Sequence, residues 1–183
     1  MTAPNSKTIV LGITASIAAY RACELITAFK KKNIRVIPVL TKDAAKFITP
    51  LTVHSLAAEP YIEDYFAAAS NVKPIHIEIA KAADCILIAP ASADFLAKMR
   101  AGFADELLSS VLLASDKPVL AAPAMNDVMY RHPATQENMD VLKKRGVKFI
   151  DPIEGRLVCT DHALGHIAEN ETIIKTALQT LGV

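Results

Sequence analysis

Four stretches of this chain carry side chains able to do chemistry, and they are spread along its length. Pro123-Ala124-Met125-Asn126 closes an apolar run and ends on an uncharged amide, Asn126. If that run is a buried strand, Asn126 stands at its carboxyl end, where open α/β sheets bind their ligands. An amide there holds a carboxylate by hydrogen bonds without adding a full positive charge. That suits a reaction in which the carboxylate leaves as neutral CO2. His76 follows Pro74 and opens the run His76-Ile77-Glu78-Ile79-Ala80. A helix start disfavours the imidazolium, so His76 reads as a neutral proton acceptor. Cys159 falls in a loop spanning residues 151–165, a length that lids use. Gly12-Ile13-Thr14-Ala15-Ser16-Ile17 joins a strand to a helix, with Thr14 or Ser16 able to cap it. The last three also have plainer readings: a surface or capping histidine, a loop cysteine, an ordinary capped turn.

These residues need elements to position them. Residues 8–11 form a β-branched first strand that stops at Gly12, where a tight turn follows, and residues 17–31 repeat apolar positions with helical spacing. Residues 34–40 form the second strand, and 43–48 a short helical stretch stopped by Pro50. Residues 50–74 are mixed and read as loop with short elements. A helix over 76–83 leads to a buried strand over 85–89, then a helical region over 93–115 broken near Gly102. A strand over 118–122, a helix over 134–145 closed by Gly146, a short strand over 147–150 and a helix over 171–181 complete the chain. Strand and helix alternate, and the strands are continuously apolar. That predicts an α/β fold with a doubly wound parallel sheet, a Rossmann- or flavodoxin-like three-layer sandwich.

In such a fold Thr41, Ser92 in Pro90-Ala91-Ser92-Ala93-Asp94, and Asn126 with Met125 end strands on one shared edge. Small residues there leave room for a flat ring, and Ala104-Asp105 is placed to close over it. Free N–H groups after Gly12 favour an anion. The loop is neither GxGxxG nor a Walker loop; if a phosphate binds there, a mononucleotide such as FMN is the natural guest.

Bulk properties narrow the classes. The 183 residues suit one domain over 1–183, with residues 1–6 a candidate for disorder. Lys and Arg number 20 against 19 Asp and Glu, so no basic excess points to nucleic acid. No apolar run is long enough to span a membrane. Cys23, Cys85 and Cys159 lie far apart without zinc spacing, which predicts no metal site and fits a reducing cytoplasm.

Taken in order, Gly12–Ile17, His76, Pro90–Ala93, Pro123-Ala124-Met125-Asn126 with Met129, and Leu157-Val158-Cys159 resemble the flavin-containing cysteine decarboxylases. The likeness runs over about residues 7–170 and is closest to members acting on phosphopantothenoylcysteine in coenzyme A biosynthesis. It implies FMN as cofactor, bound at subunit interfaces of homotrimers that in some members assemble into dodecamers. It implies FMN contacts from Gly12, Thr14, Ser16, Ile17, Thr41, Ser92, Ala104 and Met125. His76 matches the active-site histidine, Asn126 the residue gripping the substrate carboxylate, Met129 its pocket partner, and Cys159 the proton donor. In the family, flavin oxidises the substrate's cysteine side chain to a thioaldehyde, CO2 leaves, and the enethiol is reduced again. Ala15, Asp94 and Tyr130 depart from the family pattern, and the fused synthetase domain of the usual bacterial member is not among these residues. Arg156, Lys98 or a residue of another subunit are candidates for the substrate phosphate. A peptidyl-cysteine oxidative decarboxylase, a flavin prenyltransferase and a non-catalytic FMN-binding regulator of the same fold stand as alternatives. Cys159 argues against the first, the Pro-Ala-Met-Asn segment against the second, and the joint presence of His76, Asn126 and Cys159 against the third.

Overall fold

The computed structural model describes residues 7–60, 74–155 and 163–183. The expectation of disorder over 1–6 lies outside the described residues. At the centre is a five-stranded sheet in the order β2-β1-β3-β4-β5, parallel throughout. Its strands are β1 (Thr8–Ile13), β2 (Arg35–Leu40), β3 (Cys85–Ala91), β4 (Val119–Pro123) and β5 (Lys148–Phe149). This is the doubly wound, flavodoxin-like architecture that the alternation of elements predicts.

The continuous apolar strands follow from burial on both faces. Every residue of β1 and β3 is buried. Alternate side chains feed two cores. Ile9, Leu11 and Ile13 pack with Leu25, Ile26 and Phe29 of α1 (Arg21–Lys31) and with Ile173 and Ala177 of α8 (Asn170–Leu181). Val10, Ile86 and Ile88 pack on the other face with α3 (Ile75–Ala82), α4 (Ala93–Ala101), α5 (Leu107–Leu113) and α7 (Pro133–Lys144). Each fully buried Ile or Leu contributes about 1.5–3 kcal/mol of transfer free energy. In α1 the apolar stripe Ala22, Leu25, Ile26, Phe29 keeps helical spacing, and Lys30 and Lys31 complement the dipole at its last turn.

Several expectations change in detail. The first helix opens as a 3-10 turn over Ile17–Tyr20, and residues 44–46 form another. Pro50 starts a helix, α2 (Pro50–Ala57), rather than merely stopping one. Proline costs nothing at a first helical position, whose N–H has no intrahelical partner, and Thr49 caps the turn through Thr52 N. The helical region after Ala93 does break at Gly102, which takes φ 76° as a left-handed cap. A short helix, α6 (Asp127–Arg131), follows Asn126 directly. Residues 151–165 are not one loop: β6 (Ile153–Gly155) pairs antiparallel with β7 (Ala163–His166). Their antiparallel pairing is set by contacts across the hairpin, which a reading of local pattern does not see. Among the described residues no helix is long and apolar enough to cross a membrane.

Gly12 also serves differently from its sequence reading. It lies inside β1, paired with Val39 and Ile88, and does not form the turn. A Cβ there would sit 2.6 Å from Ile88 Cδ1 and 2.8 Å from Leu108 Cδ1. The glycine is therefore a packing requirement where α5 crosses β1. Gly12→Ala should destabilise the fold by about 1–3 kcal/mol, seen as a lower urea midpoint at unchanged slope. An unchanged midpoint would remove this assignment.

Candidate functional site

Strand order reverses between β1 and β3, so the chains leaving their carboxyl ends diverge and open a crevice. A cleft of about 680 Å³ lies there. Its walls come from the β1 exit (Ala15, Ser16, Ile17), the β3 exit (Ser92, Ala93, Asp94), the β4 exit (Ala124, Met125, Asn126), Met129 of α6, and Gly165 and His166 of β7. Mostly apolar walls with a few convergent polar groups are the usual make-up of a small-molecule site.

Local hydrogen bonds set these walls. Thr14 Oγ1 donates to the Pro90 carbonyl at 2.7 Å and accepts from Ser92 N at 2.8 Å, joining the β1 and β3 exits. Ser16 Oγ donates to the Ala124 carbonyl at 3.3 Å, bringing in the β4 exit, and accepts from Ala18 N. Ser92 Oγ caps α4 by accepting from Phe95 N at 3.2 Å. Asn126 Oδ1 caps α6 by accepting from Val128 N at 2.9 Å and Met129 N at 3.4 Å. The cap decides which way the amide faces. Its oxygen is held by the helix start, and among the described residues nothing accepts from its Nδ2 group. That NH2 is left as a donor on the cleft wall.

The sequence candidates divide accordingly. Ser16, Ile17, Ser92, Met125, Asn126 and Met129 meet on one cleft. Gly12, Thr14 and Thr41 lie beneath its floor rather than in its lining. Thr14 is committed to the bonds just described, and Thr41 Oγ1 accepts from Ala44 N at 3.3 Å. Ala104 is exposed, away from the lining, and its carbonyl accepts from Ser110 Oγ. His76 is the second residue of α3, which leads into the amino end of β3, so its start points back to the carboxyl edge. It is half-buried and does not line the cleft of a single chain. Cys159 and Arg156 lie outside the described residues, in the connection from β6 to β7. Lys98 is engaged elsewhere: Asp105 at 2.9 Å and Glu106 at 3.3 Å hold its ammonium, and the Asp105 bond raises its pKa above the ordinary lysine value. Cys23 and Cys85 are free, and burial pushes the Cys85 thiol up to about 12, so both suit a packing role.

Tyr20, Arg21, Asp43, Phe47 and Ile167 also line the cleft, and sequence reasoning did not place them there. Arg21 Nη1 donates to the Ala168 carbonyl at 3.4 Å, an approach that spans most of the chain. Ile17, Tyr20, Phe47 and Met129 are at least half exposed around the rim, an apolar patch of the kind that marks a binding surface. Among the described residues no group of three or more His, Cys, Asp or Glu could hold a metal ion.

A doubly wound sheet with an apolar, cap-lined cleft at its switch point defines a protein that binds a mononucleotide-like ligand. The chain belongs to the Flavoprotein family, whose model matches residues 2–182. It is 44% identical over 174 residues to the coenzyme A biosynthesis bifunctional protein CoaBC of Haemophilus influenzae, covering 95% of this chain and 43% of that protein. The chain thus spans less than half the length of the curated relatives it matches. Among solved structures it is similar to a cysteine-to-serine mutant of PPC decarboxylase complexed with pantothenoylaminoethenethiol, with TM-score 0.90, 30% identity and 98% and 100% of the two chains covered. It is also similar to the FMN binding protein AtHal3, with TM-score 0.84, 31% identity and 96% of each chain covered.

The cap geometry separates the two jobs of Asn126. Asn126→Ala should lower stability by about 1 kcal/mol through loss of the cap, whereas Asn126→Asp keeps a capping oxygen and should match the parent. Urea unfolding of the three proteins checks this order. Equal midpoints for alanine and asparagine would show that the cap contributes nothing.

Proposed function

We propose that this chain binds FMN in the cleft and decarboxylates 4'-phosphopantothenoylcysteine to 4'-phosphopantetheine in coenzyme A biosynthesis. The observation that carries the reading is Asn126: it lines a mostly apolar cleft, and because its oxygen is spent on α6 its NH2 is the half of the amide left to bind a ligand. The names of the relatives support the substrate, and the FMN-binding neighbour supports the cofactor. The residues present fit FMN. Ser16, Ile17, Ser92 and Met125 would hold it, with N–H groups at the capped turn after β1 suited to its phosphate.

FMN, when bound, supplies a two-electron acceptor for the substrate's CH2–SH group and returns the pair after CO2 has left, so no net redox change results. The chain's residues do the rest. Asn126 Nδ2 holds the carboxylate while adding no cation, so the departing CO2 leaves no ion pair behind. Apolar walls exclude water and strengthen that hydrogen bond. His76 accepts a proton released by the substrate. Cys159 donates a proton in the closing reduction, which distinguishes this reading from an oxidative peptidyl-cysteine decarboxylase that stops at the enethiol. The mutant relative complexed with an enethiol supports that role for a cysteine.

The same reading treats residues 1–183 as one flavin-binding domain in the cytoplasm, forming a homotrimer or dodecamer with no nucleic-acid or membrane partner. The exposed rim formed by Ile17, Tyr20, Phe47 and Met129 gives a subunit contact its apolar area. The absence of His76 from the single-chain lining favours a site completed by His76 of the partner subunit.

Purified protein should be yellow and, incubated anaerobically with 4'-phosphopantothenoylcysteine, should release CO2 and yield the reduced product by mass spectrometry. Asn126→Asp should lose at least about a hundredfold in rate, since it sets carboxylate against carboxylate. His76→Asn should block turnover. Cys159→Ser should release CO2 yet accumulate the enethiol. A colourless protein unable to take up FMN would sink the whole reading, and reduced product from Cys159→Ser would remove the proton-donor role alone.

A further inference from the structure

The turn that presents Asn126 is held from two sides. On one, Ser16 Oγ donates to the carbonyl of Ala124. On the other stands Gly165 of β7, outside the central sheet. Met125 N donates to the Gly165 carbonyl at 3.1 Å, so β7 continues the hydrogen bonding of β4 past its last ladder residue. Gly165 has φ 139°, a backbone that L side chains rarely adopt. A Cβ on it would run into the Met125 carbonyl oxygen and lie 3.4 Å from Asp127 N. Those atoms belong to the residues immediately before and after Asn126. No flexible side chain could give way, because the obstruction is main chain.

We propose that Gly165 is a positioning residue for Asn126: its bare backbone docks on the two peptide units flanking the asparagine and fixes the direction in which the amide faces. The β6–β7 pair and the capping turn of α6 then form one mechanical unit. Gly165 has no side chain to take part in the chemistry and acts through Asn126. A side chain at 165 displaces Met125 and Asp127, weakens the grip of Asn126 Oδ1 on Val128 and Met129, and swings Nδ2 off the cleft wall. The kinetic consequence rests on the function proposed above; the structural one does not.

The test is hydrogen exchange by NMR on the full chain with FMN bound, comparing Gly165→Ala with Gly102→Ala. Gly102 also has positive φ, at 76°, but nothing lies within 4 Å of a Cβ there, so it controls for backbone strain. In Gly165→Ala the amides of Val128 and Met129 should exchange about tenfold faster while those of β1 and β3 keep parental rates. Gly102→Ala should not single out these two amides. Equal effects from both variants, or parental rates in Gly165→Ala, would overturn the proposal. Should Gly165→Ala fail to fold, Asn126→Ala decides, because coupling is reciprocal. The Met125 amide, bonded to Gly165, should then exchange faster, and an unchanged rate would overturn the idea. In kinetics at saturating FMN, Gly165→Ala should raise KM for phosphopantothenoylcysteine, and a parental KM counts against positioning. A parent inactive on that substrate would sink the proposed function and leave the exchange comparison to decide this inference.

Discussion

One buried threonine holds the cleft open at the right place. Where strand order reverses, the exits of β1 and β3 part, and a long backbone hydrogen bond from Thr14 N to the Pro90 carbonyl, at 3.3 Å, is what remains to tie them. Pro90 has no N–H to offer, and the β3–β4 register shifts between Ile88 and Ala91. The Thr14 hydroxyl reinforces this tie by donating to the Pro90 carbonyl and accepting from Ser92 N. Fully buried polar groups must find partners, and here one hydroxyl satisfies a carbonyl on one side and an amide on the other. Remove that oxygen and the part-buried Ser92 N–H loses its acceptor, at a cost of about 1–3 kcal/mol, while the Pro90 carbonyl keeps only the longer bond from Thr14 N. The floor of the cleft depends on this bridge, which explains why Thr14 is not itself part of the lining.

Above the floor, the walls repeat one device. Ser16, Ser92 and Asn126 each follow a strand, each cap the next helical turn, and each present what remains of the residue to the cleft. Capping makes these positions rigid, because the side-chain rotamer is fixed by its bond to the backbone. For the serines the cap uses the only polar atom. For Asn126 it uses half of a two-ended group and leaves the other half free to bind. The chemical meaning of asparagine at this site lies in that division: aspartate would cap as well but would offer no donor.

Much of this was readable from residue order. Continuous apolar runs ending at Gly12, Pro90 and Pro123 implied a parallel sheet with its strand ends on one edge, and the sheet has that form. Asn126 at a strand end and Ser92 before a helix were legible because strand exits and caps are local signals. Gly12 was read for its freedom to turn, yet what it supplies is space for Ile88 and Leu108, which are distant in sequence. Pro50 was read as a stop because a proline is equally at home ending one segment and starting the next. Tyr20, Arg21 and Phe47 gave no warning, since only a 3-10 turn and the crossing of α1 bring them to the rim.

Residue order by itself therefore determined the class of fold, the edge on which the cleft opens, and six of the candidates that line it, because burial pattern and capping act over a few neighbours. Tertiary structure decided the rest. It selected which candidates face the cleft, turned the Asn126 amide by engaging its oxygen, set Thr14 beneath the floor, and laid the glycine of a separate hairpin against the peptide units around Asn126. Those outcomes depend on atoms brought within a few ångströms by packing between segments far apart along the chain, a relation that no local pattern of side chains encodes.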